Sequence, residues 1–109
     1  MYISITGLRL KGPLSFPRFA WHAVGSMRQA QTAPGNLRAE ARRIDGVHHT
    51  MTVWTDRAAM LAYLRSGAHL RAMKAFHGIA TGAVLGYEAD VAPEWSEIHA
   101  IWRERGRTV

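Results

Sequence analysis

The stretch Leu37-Arg-Ala-Glu-Ala-Arg-Arg-Ile-Asp-Gly-Val-His-His-Thr-Met-Thr-Val-Trp54 decides how the chain folds. Leu37, Ala39 and Ala41 alternate with Arg38, Glu40 and Arg42, and a period of two sets them on opposite faces of a strand. Asp45-Gly46 follows, a dipeptide suited to the positive φ angles of a type I′ turn. A further strand then runs from Val47 to about Trp54. Val47, His49, Met51 and Val53 share one of its faces, and His48, Thr50, Thr52 and Trp54 the other. The stretch therefore predicts an antiparallel hairpin onto which the remaining elements are built.

Upstream, Tyr2 to Leu10 alternates weakly and is rich in β-branched residues, which predicts a first strand. Gly12, Pro13 and Pro17 break it. From Pro17 to Gln31, with Phe16 just before it, the apolar positions Phe16, Ala20, Val24 and Met27 recur at helical spacing. Proline is tolerated in the first turn because the N–H it lacks would be unpaired there anyway. Pro34-Gly35 ends this helix. Downstream, Thr55 or Asp56 can cap a helix that begins at Arg57 and carries Ala59, Met60, Tyr63 and Leu64 as its stripe. Ser66-Gly67 interrupts it, and a second helical run covers Ala68 to His77, stopped by Gly78. Thr81 to Val91 predicts a fourth strand, and Glu94 to Arg105 a last helix with Trp95, Ile98 and Trp102 on one stripe.

The order β-α-β-β-α-β plus a terminal helix is the split βαβ arrangement, so the fold class is α+β and ferredoxin-like. With both crossover helices on one side, the other sheet face is expected to be bare. It would be covered by the sheet of a second copy, which makes the expected assembly a dimeric α+β barrel.

The 109 residues are expected to form one domain spanning 1–109, and 48% hydrophobic composition is too rich for disorder. No apolar run approaches the roughly 20 residues needed to cross a bilayer. Met1 leads straight into a strand pattern without the basic and apolar regions of a signal peptide, so a cytoplasmic protein is expected. There is no cysteine, which excludes disulfides and thiolate metal sites. The formal net charge is +6, and its Lys and Arg read as scattered along the chain, with Arg103, Arg105 and Arg107 in a basic tail that favours solubility. No aromatic-rich RNA-binding strand accompanies them. Neither nucleic acid nor membrane is expected as a partner.

The stretch from His49 to Met73 carries a more specific pattern. A strand ends in Val53-Trp54, then come acidic Asp56, Ala59-Met60 early in a helix, the helical aromatic Tyr63, and Ser66-Gly67-Ala68-His69 opening the next helical run. This pattern resembles the antibiotic-biosynthesis-monooxygenase-like branch of the dimeric α+β barrel superfamily. The resemblance implies a ferredoxin-like fold, a homodimer through the sheets, and a pocket between sheet and helices in each subunit. It does not imply one activity, because the superfamily includes cofactor-free oxygenases of aromatic polyketides, haem-degrading enzymes and isomerases. The haem-degrading members combine a first-strand asparagine, a helical aromatic and a histidine some ten positions later. Here the corresponding places hold Gly7 and Leu8, and Met73 stands ten beyond Tyr63. No cofactor is therefore expected, with haem on a single histidine kept only as a third reading.

His69 is the candidate catalytic residue, as a general base or hydrogen-bond donor to a phenol or quinone-like substrate. The competing reading is that its ring caps the short helix and packs on Trp54. Trp54 and Tyr63 can stack on a flat substrate or simply fill the core. Met73 would add adaptable lining, and His22, beside Trp21, faces the same choice as His69. Trp21, Trp95 and Trp102 are expected at the sheet edge or a dimer interface. His69 and His77 are two helical turns apart, roughly 12 Å along the axis, and His48 and His49 point to opposite faces, so no metal site is expected. His99 is expected to be solvated. No Ser-His-Asp order, phosphate-cradling glycine loop or carboxylate pair is present. The function expected is binding of a small hydrophobic or aromatic molecule, with cofactor-independent monooxygenase chemistry as the leading reading. The alternative is a non-catalytic ligand-binding or assembly protein of the same fold.

Overall fold

The hairpin forms as its alternation requires in the computed structural model, which describes residues 1–109. The elements are β1 (Tyr2–Leu10), a 3-10 turn (Pro13–Ser15), α1 (Phe16–Thr32), β2 (Asn36–Ile44), β3 (Val47–Trp54), α2 (Arg57–Leu64), α3 (Gly67–Ile79), β4 (Ala80–Glu88), α4 (Trp95–Arg105) and β5 (Arg107–Thr108). They make an antiparallel sheet in the order β2-β3-β1-β4-β5, and the architecture is α+β and ferredoxin-like. At the β2–β3 turn Asp45 and Gly46 have φ of 51° and 77°, the double positive φ of a type I′ turn. The strand predicted over 81–91 begins one residue earlier and stops at Glu88. β5, two residues long, has no periodic signal to be read.

Because β1 lies between β3 and β4, it feeds two cores. Ile3 and Ile5 point to the face that also carries Met51, Val53 and Leu85, and these pack with Trp95 and Ile98 of α4. Tyr2 and Trp54 point to the other face and pack with Ala30 of α1 and with Met60 and Tyr63 of α2.

The expectation of a bare sheet face does not hold, because α4 lies across that face. Its apolar stripe and the sheet's are complementary parts of one chain, and the connection 89–94 is long enough to bring them together. The anchor is polar as well as apolar. The Trp95 indole N–H donates to Glu40 Oε1 at 2.6 Å, Arg38 pairs with Glu40 at 2.7 Å, and the Arg42 guanidinium lies 5.1 Å over the Trp95 ring. The Arg38 guanidinium foremost, and the Trp95 N–H after it, hold the Glu40 carboxyl at a pKa of about 2. At the far end the Trp102 N–H donates to the Ala83 carbonyl at 2.8 Å, and its indole occupies the space where a Gly7 side chain would stand. Trp95 and Trp102 thus seat the chain's own helix. Trp21, by contrast, stands out from α1, 79% exposed.

The opposite side is built differently. α1 and α3 pack on each other, and α1 also on β2. Beneath this layer the middle of the sheet presents Ser4, Thr6, Thr50 and Thr52, with the Thr6 and Thr50 hydroxyls 2.6 Å apart. One face of the sheet is apolar and closely covered, and the other is lined with short hydroxyl side chains.

Adding a methyl group at position 7 tests how closely α4 is seated. Gly7→Ala places a Cβ in the Trp102 indole and is expected to cost about 1–3 kcal/mol by overpacking. Urea unfolding measures it, and a loss under about 0.5 kcal/mol would mean that α4 does not hold this position.

Candidate functional site

The helix that carries Tyr63 starts at Asp56, whose carboxylate accepts from the Ala59 N–H at 2.8 Å. Its end and the start of α3 meet at Ser66-Gly67, where orphan helix-end groups need partners. A single side chain of α1 supplies them. Gln29 Nε2 donates to the carbonyls of Ser66 (2.8 Å) and Tyr63 (3.2 Å), while Gln29 Oε1 accepts from the His69 N–H at 2.8 Å. The carboxamide therefore sets the positions of Tyr63 and His69 together. Their rings lie with centroids 4.6 Å apart, and on its other side Tyr63 lies 5.1 Å from Trp54. The Tyr63 hydroxyl donates to the Ser26 carbonyl at 3.0 Å.

Three buried polar atoms belong to residues touching Tyr63 and have no hydrogen-bond partner: Ser26 Oγ, Trp54 Nε1 and His69 Nδ1. Leaving such a group unpaired costs about 1–3 kcal/mol, so three together form an unusual local concentration. Burial lowers the His69 pKa, and the pull of the Leu64 carbonyl on a ring N–H offsets this only in part. The ring's Nδ1 is buried and has no hydrogen-bond partner. Burial also pushes the Tyr63 phenol far above its ordinary range, so Tyr63 acts as a donor and not as a base. The arrangement offers one base nitrogen, one indole donor and one hydroxyl, held by a protonated phenol.

Of the residues singled out from sequence, the structure brings Trp54, Tyr63 and His69 together. Their rings pack against one another, and no room is left between them for a flat ligand. An open depression of about 480 Å³ reaches Tyr63 from outside, lined with Gln29, Ala33, Gly35, Thr55 and Ser66 among others, but it touches neither Trp54 nor His69. Met73 lies one turn beyond His69, is 51% exposed and is not part of the group. His22 is half-buried on α1 and makes neither a hydrogen bond nor a ring contact. The alternative reading of His69 is altered in detail. Its ring packs on Tyr63, with Trp54 lying beyond, and the helix start is capped by Gln29 and not by the ring. Ser26 and Gln29 were not visible from sequence, since a lone serine or glutamine in a helix has no distinguishing spacing.

On the opposite face of the sheet His49 and His99 form a pair. His99 is not solvated: its Nδ1 lies 2.9 Å from His49 Nε2 beneath α4, and its side chain is 16% exposed. His49, 1% exposed, places Nδ1 2.9 Å from the Thr6 carbonyl, which can only accept. Nδ1 therefore carries the proton, and Nε2 accepts from His99 Nδ1–H. His99 Nε2 in turn lies 3.7 Å from the Asp45 carboxylate. Burial lowers the His49 pKa, with His99 and Arg9 acting in the same direction. Both nitrogens of His49 are satisfied.

The model of the antibiotic biosynthesis monooxygenase family matches residues 20–75, more than half of the chain. No curated protein matches it. Among solved structures, a Deinococcus radiodurans protein assigned to the antibiotic biosynthesis monooxygenases is 18% identical, with TM-score 0.74, over 86% of this chain and 97% of that one. SnoaB of Streptomyces nogalater, a cofactor-independent oxygenase, is 23% identical with TM-score 0.62, over 85% of this chain and 97% of SnoaB. HapK of Hahella chejuensis is 20% identical with TM-score 0.65, over 86% and 97%. At these identities the structures speak for the fold.

Burial depresses His48, His49 and His69 below their unfolded value of 6.5, so the unfolded chain binds more protons near that pH. Their contribution to stability is complete above 6.5 and is lost as pH falls through the lowered values. Glu40 acts in the same direction only below about 4.5. The urea midpoint is expected to be lower at about pH 5 than at about pH 7.5. A midpoint that is flat or rises on acidification would contradict the neutral, buried state of these rings.

Proposed function

This chain belongs to the antibiotic biosynthesis monooxygenase family, and we propose that it binds a small hydrophobic or aromatic molecule between its helices and sheet and oxygenates it without a cofactor. The observation that carries this reading is the set of unpartnered buried atoms, Ser26 Oγ, Trp54 Nε1 and His69 Nδ1, gathered around Tyr63. In this scheme the α1–α3 layer moves to part the packed rings, and the phenolic or enolisable substrate that enters hands a proton to His69 Nδ1. The indole N–H and the serine hydroxyl then stabilise the oxygen that becomes negative. The substrate carbanion then adds to O2, the resulting peroxide takes up the proton held by His69, and loss of water leaves one oxygen atom on that carbon as a carbonyl, so O2 is the oxidant and the protein supplies a base, donors and dry surroundings. A buried histidine held neutral suits the first task, because its nitrogen is free to accept at neutral pH. The likeness to SnoaB supports leaving a cofactor out of the scheme. Met73 and His22 stand apart from the trio and enter this scheme only if the α1–α3 layer moves when the ligand enters.

The close packing of Trp54, Tyr63 and His69 favours a second reading, a non-catalytic ligand-binding or assembly protein. Oxygen uptake with a panel of phenols and hydroquinones separates the two. Under the first reading His69→Ala lowers kcat by at least about a hundredfold while the melting temperature stays near that of the parent. An unchanged rate would sink the catalytic assignment. Ligand-induced stabilisation of the parent without any oxygen uptake would establish the second reading.

The family resemblance also supports a homodimer. Because α4 occupies the middle of the sheet, the second copy would meet the sheet edges and the rim of α4. Light scattering at micromolar concentration is expected to give about twice the 12.2 kDa of the chain, and the single-chain mass would refute the dimer.

A further inference from the structure

The net positive charge of the protein lies in one layer. The 3-10 turn, α1, α2 and α3 hold Arg18, Arg28, Arg57, Arg71 and Lys74, with Lys11 and Arg65 at their ends, and they contain no Asp or Glu. The other seven Lys and Arg share the sheet, its turns and α4 with the acids, which leaves that part close to neutral. Asp56, the acid nearest the basic layer, is engaged as the cap of α2. The sequence hides this segregation because the layer is assembled from two separate segments.

The same layer carries the most conspicuous exposed apolar side chains. Leu14 on the 3-10 turn is 92% exposed, Trp21 is 79% exposed, and Phe16 and Val24 are each about half exposed. Trp21, Val24 and Arg28 follow at helical spacing, so they share one outward stripe of α1. Lys11 Nζ donates to the His77 carbonyl, and Arg18 lies near Gly78. The cations flanking Leu14 and Phe16 therefore gather at the end of α3.

We propose that this face docks on an anionic lipid surface, with Leu14 and Trp21 entering the headgroup region and the Lys and Arg around them lying over the phosphates. Charge complementarity selects the occupant. A second copy bound through a two-fold axis would press an acid-free basic face against itself. Apolar tips that protrude singly between cations give a rigid partner little surface to close on, whereas a soft interface takes them up. The absence of a long apolar run led to the expectation that no membrane is involved. That absence excludes a spanning helix, and no helix of the chain is long and apolar enough to cross, but contact with a surface needs none.

Vesicle flotation with the full chain tests the proposal, using phosphatidylcholine vesicles with and without about one third phosphatidylserine. Binding is expected to be at least about tenfold stronger to the anionic vesicles and to fall steeply in about 0.5 M salt. Leu14→Glu and Trp21→Glu should each weaken it about tenfold without shifting the melting temperature, since both side chains are exposed. Failure to bind the anionic vesicles at low salt would overturn the proposal, as would full binding by both variants. Two further results would also overturn it: tighter retention of RNA or polyglutamate than of the vesicles, and self-association abolished by Trp21→Glu.

Discussion

The rest of the structure depends on the position of β1, which has β3 on one side, β4 on the other and a packed layer on each face. A strand so placed cannot use one face for water, and its alternation separates Ile3 and Ile5 from Tyr2, Ser4 and Thr6. At the third step of the apolar face stands Gly7, which admits the Trp102 indole and so lets α4 lie close. Burying Ile3, Ile5, Met51, Val53 and Leu85 under Trp95 and Ile98 concentrates apolar burial on that side. The hydroxyl face gains less from close contact, since short polar groups there already pair with one another, as Thr6 and Thr50 do.

This asymmetry gives Gln29 its importance. α2, eight residues long, meets α3 at a break, and α3 adds no side chain to the core that Met60 and Tyr63 of α2 join. One carboxamide reaching across from α1 satisfies the end of one helix and the start of the next, and thereby fixes Tyr63 relative to His69. The charge distribution follows the same division. α4 and the strands mix signs and form local pairs such as Arg38 with Glu40, while the α1–α3 layer has no internal acid with which to pair.

Elements with strong periodicity were legible in the sequence. The 37–54 hairpin, its Asp45-Gly46 turn and the Asp56 cap all rest on local backbone chemistry, and local chemistry is what a sequence displays. The grouping of Trp54, Tyr63 and His69 was reached through the spacing of one segment, from the end of β3 to the start of α3. What was lost is what joins distant segments. The place of α4 depends on Gly7 and Glu40, 95 and 55 positions from the indoles they meet. The pairing of His49 with His99 spans 50 positions, so His99 read as a solvated helix residue. The basic layer was missed for the same reason, because its two halves read separately as scattered charge.

The two histidine groups differ in how far their ring nitrogens are paired. His49 is the more deeply buried and has His99, Asp45 and Trp102 around it, a setting that could be taken for a catalytic relay. Yet its Nδ1–H is committed to the Thr6 carbonyl and its Nε2 to His99, so it has nothing left to offer a ligand and serves to hold α4 in place. His69 sits on the other side, its Nδ1 unpaired, and Trp54 Nε1 and Ser26 Oγ, on the other residues that touch Tyr63, are equally unpaired. Fully paired polar groups stabilise a fold, whereas unpaired ones are costly unless something completes them. That cost falls on the hydroxyl-lined side, opposite the apolar face that α4 already covers, where the packing of α1 and α3 on the sheet leaves these three atoms without partners.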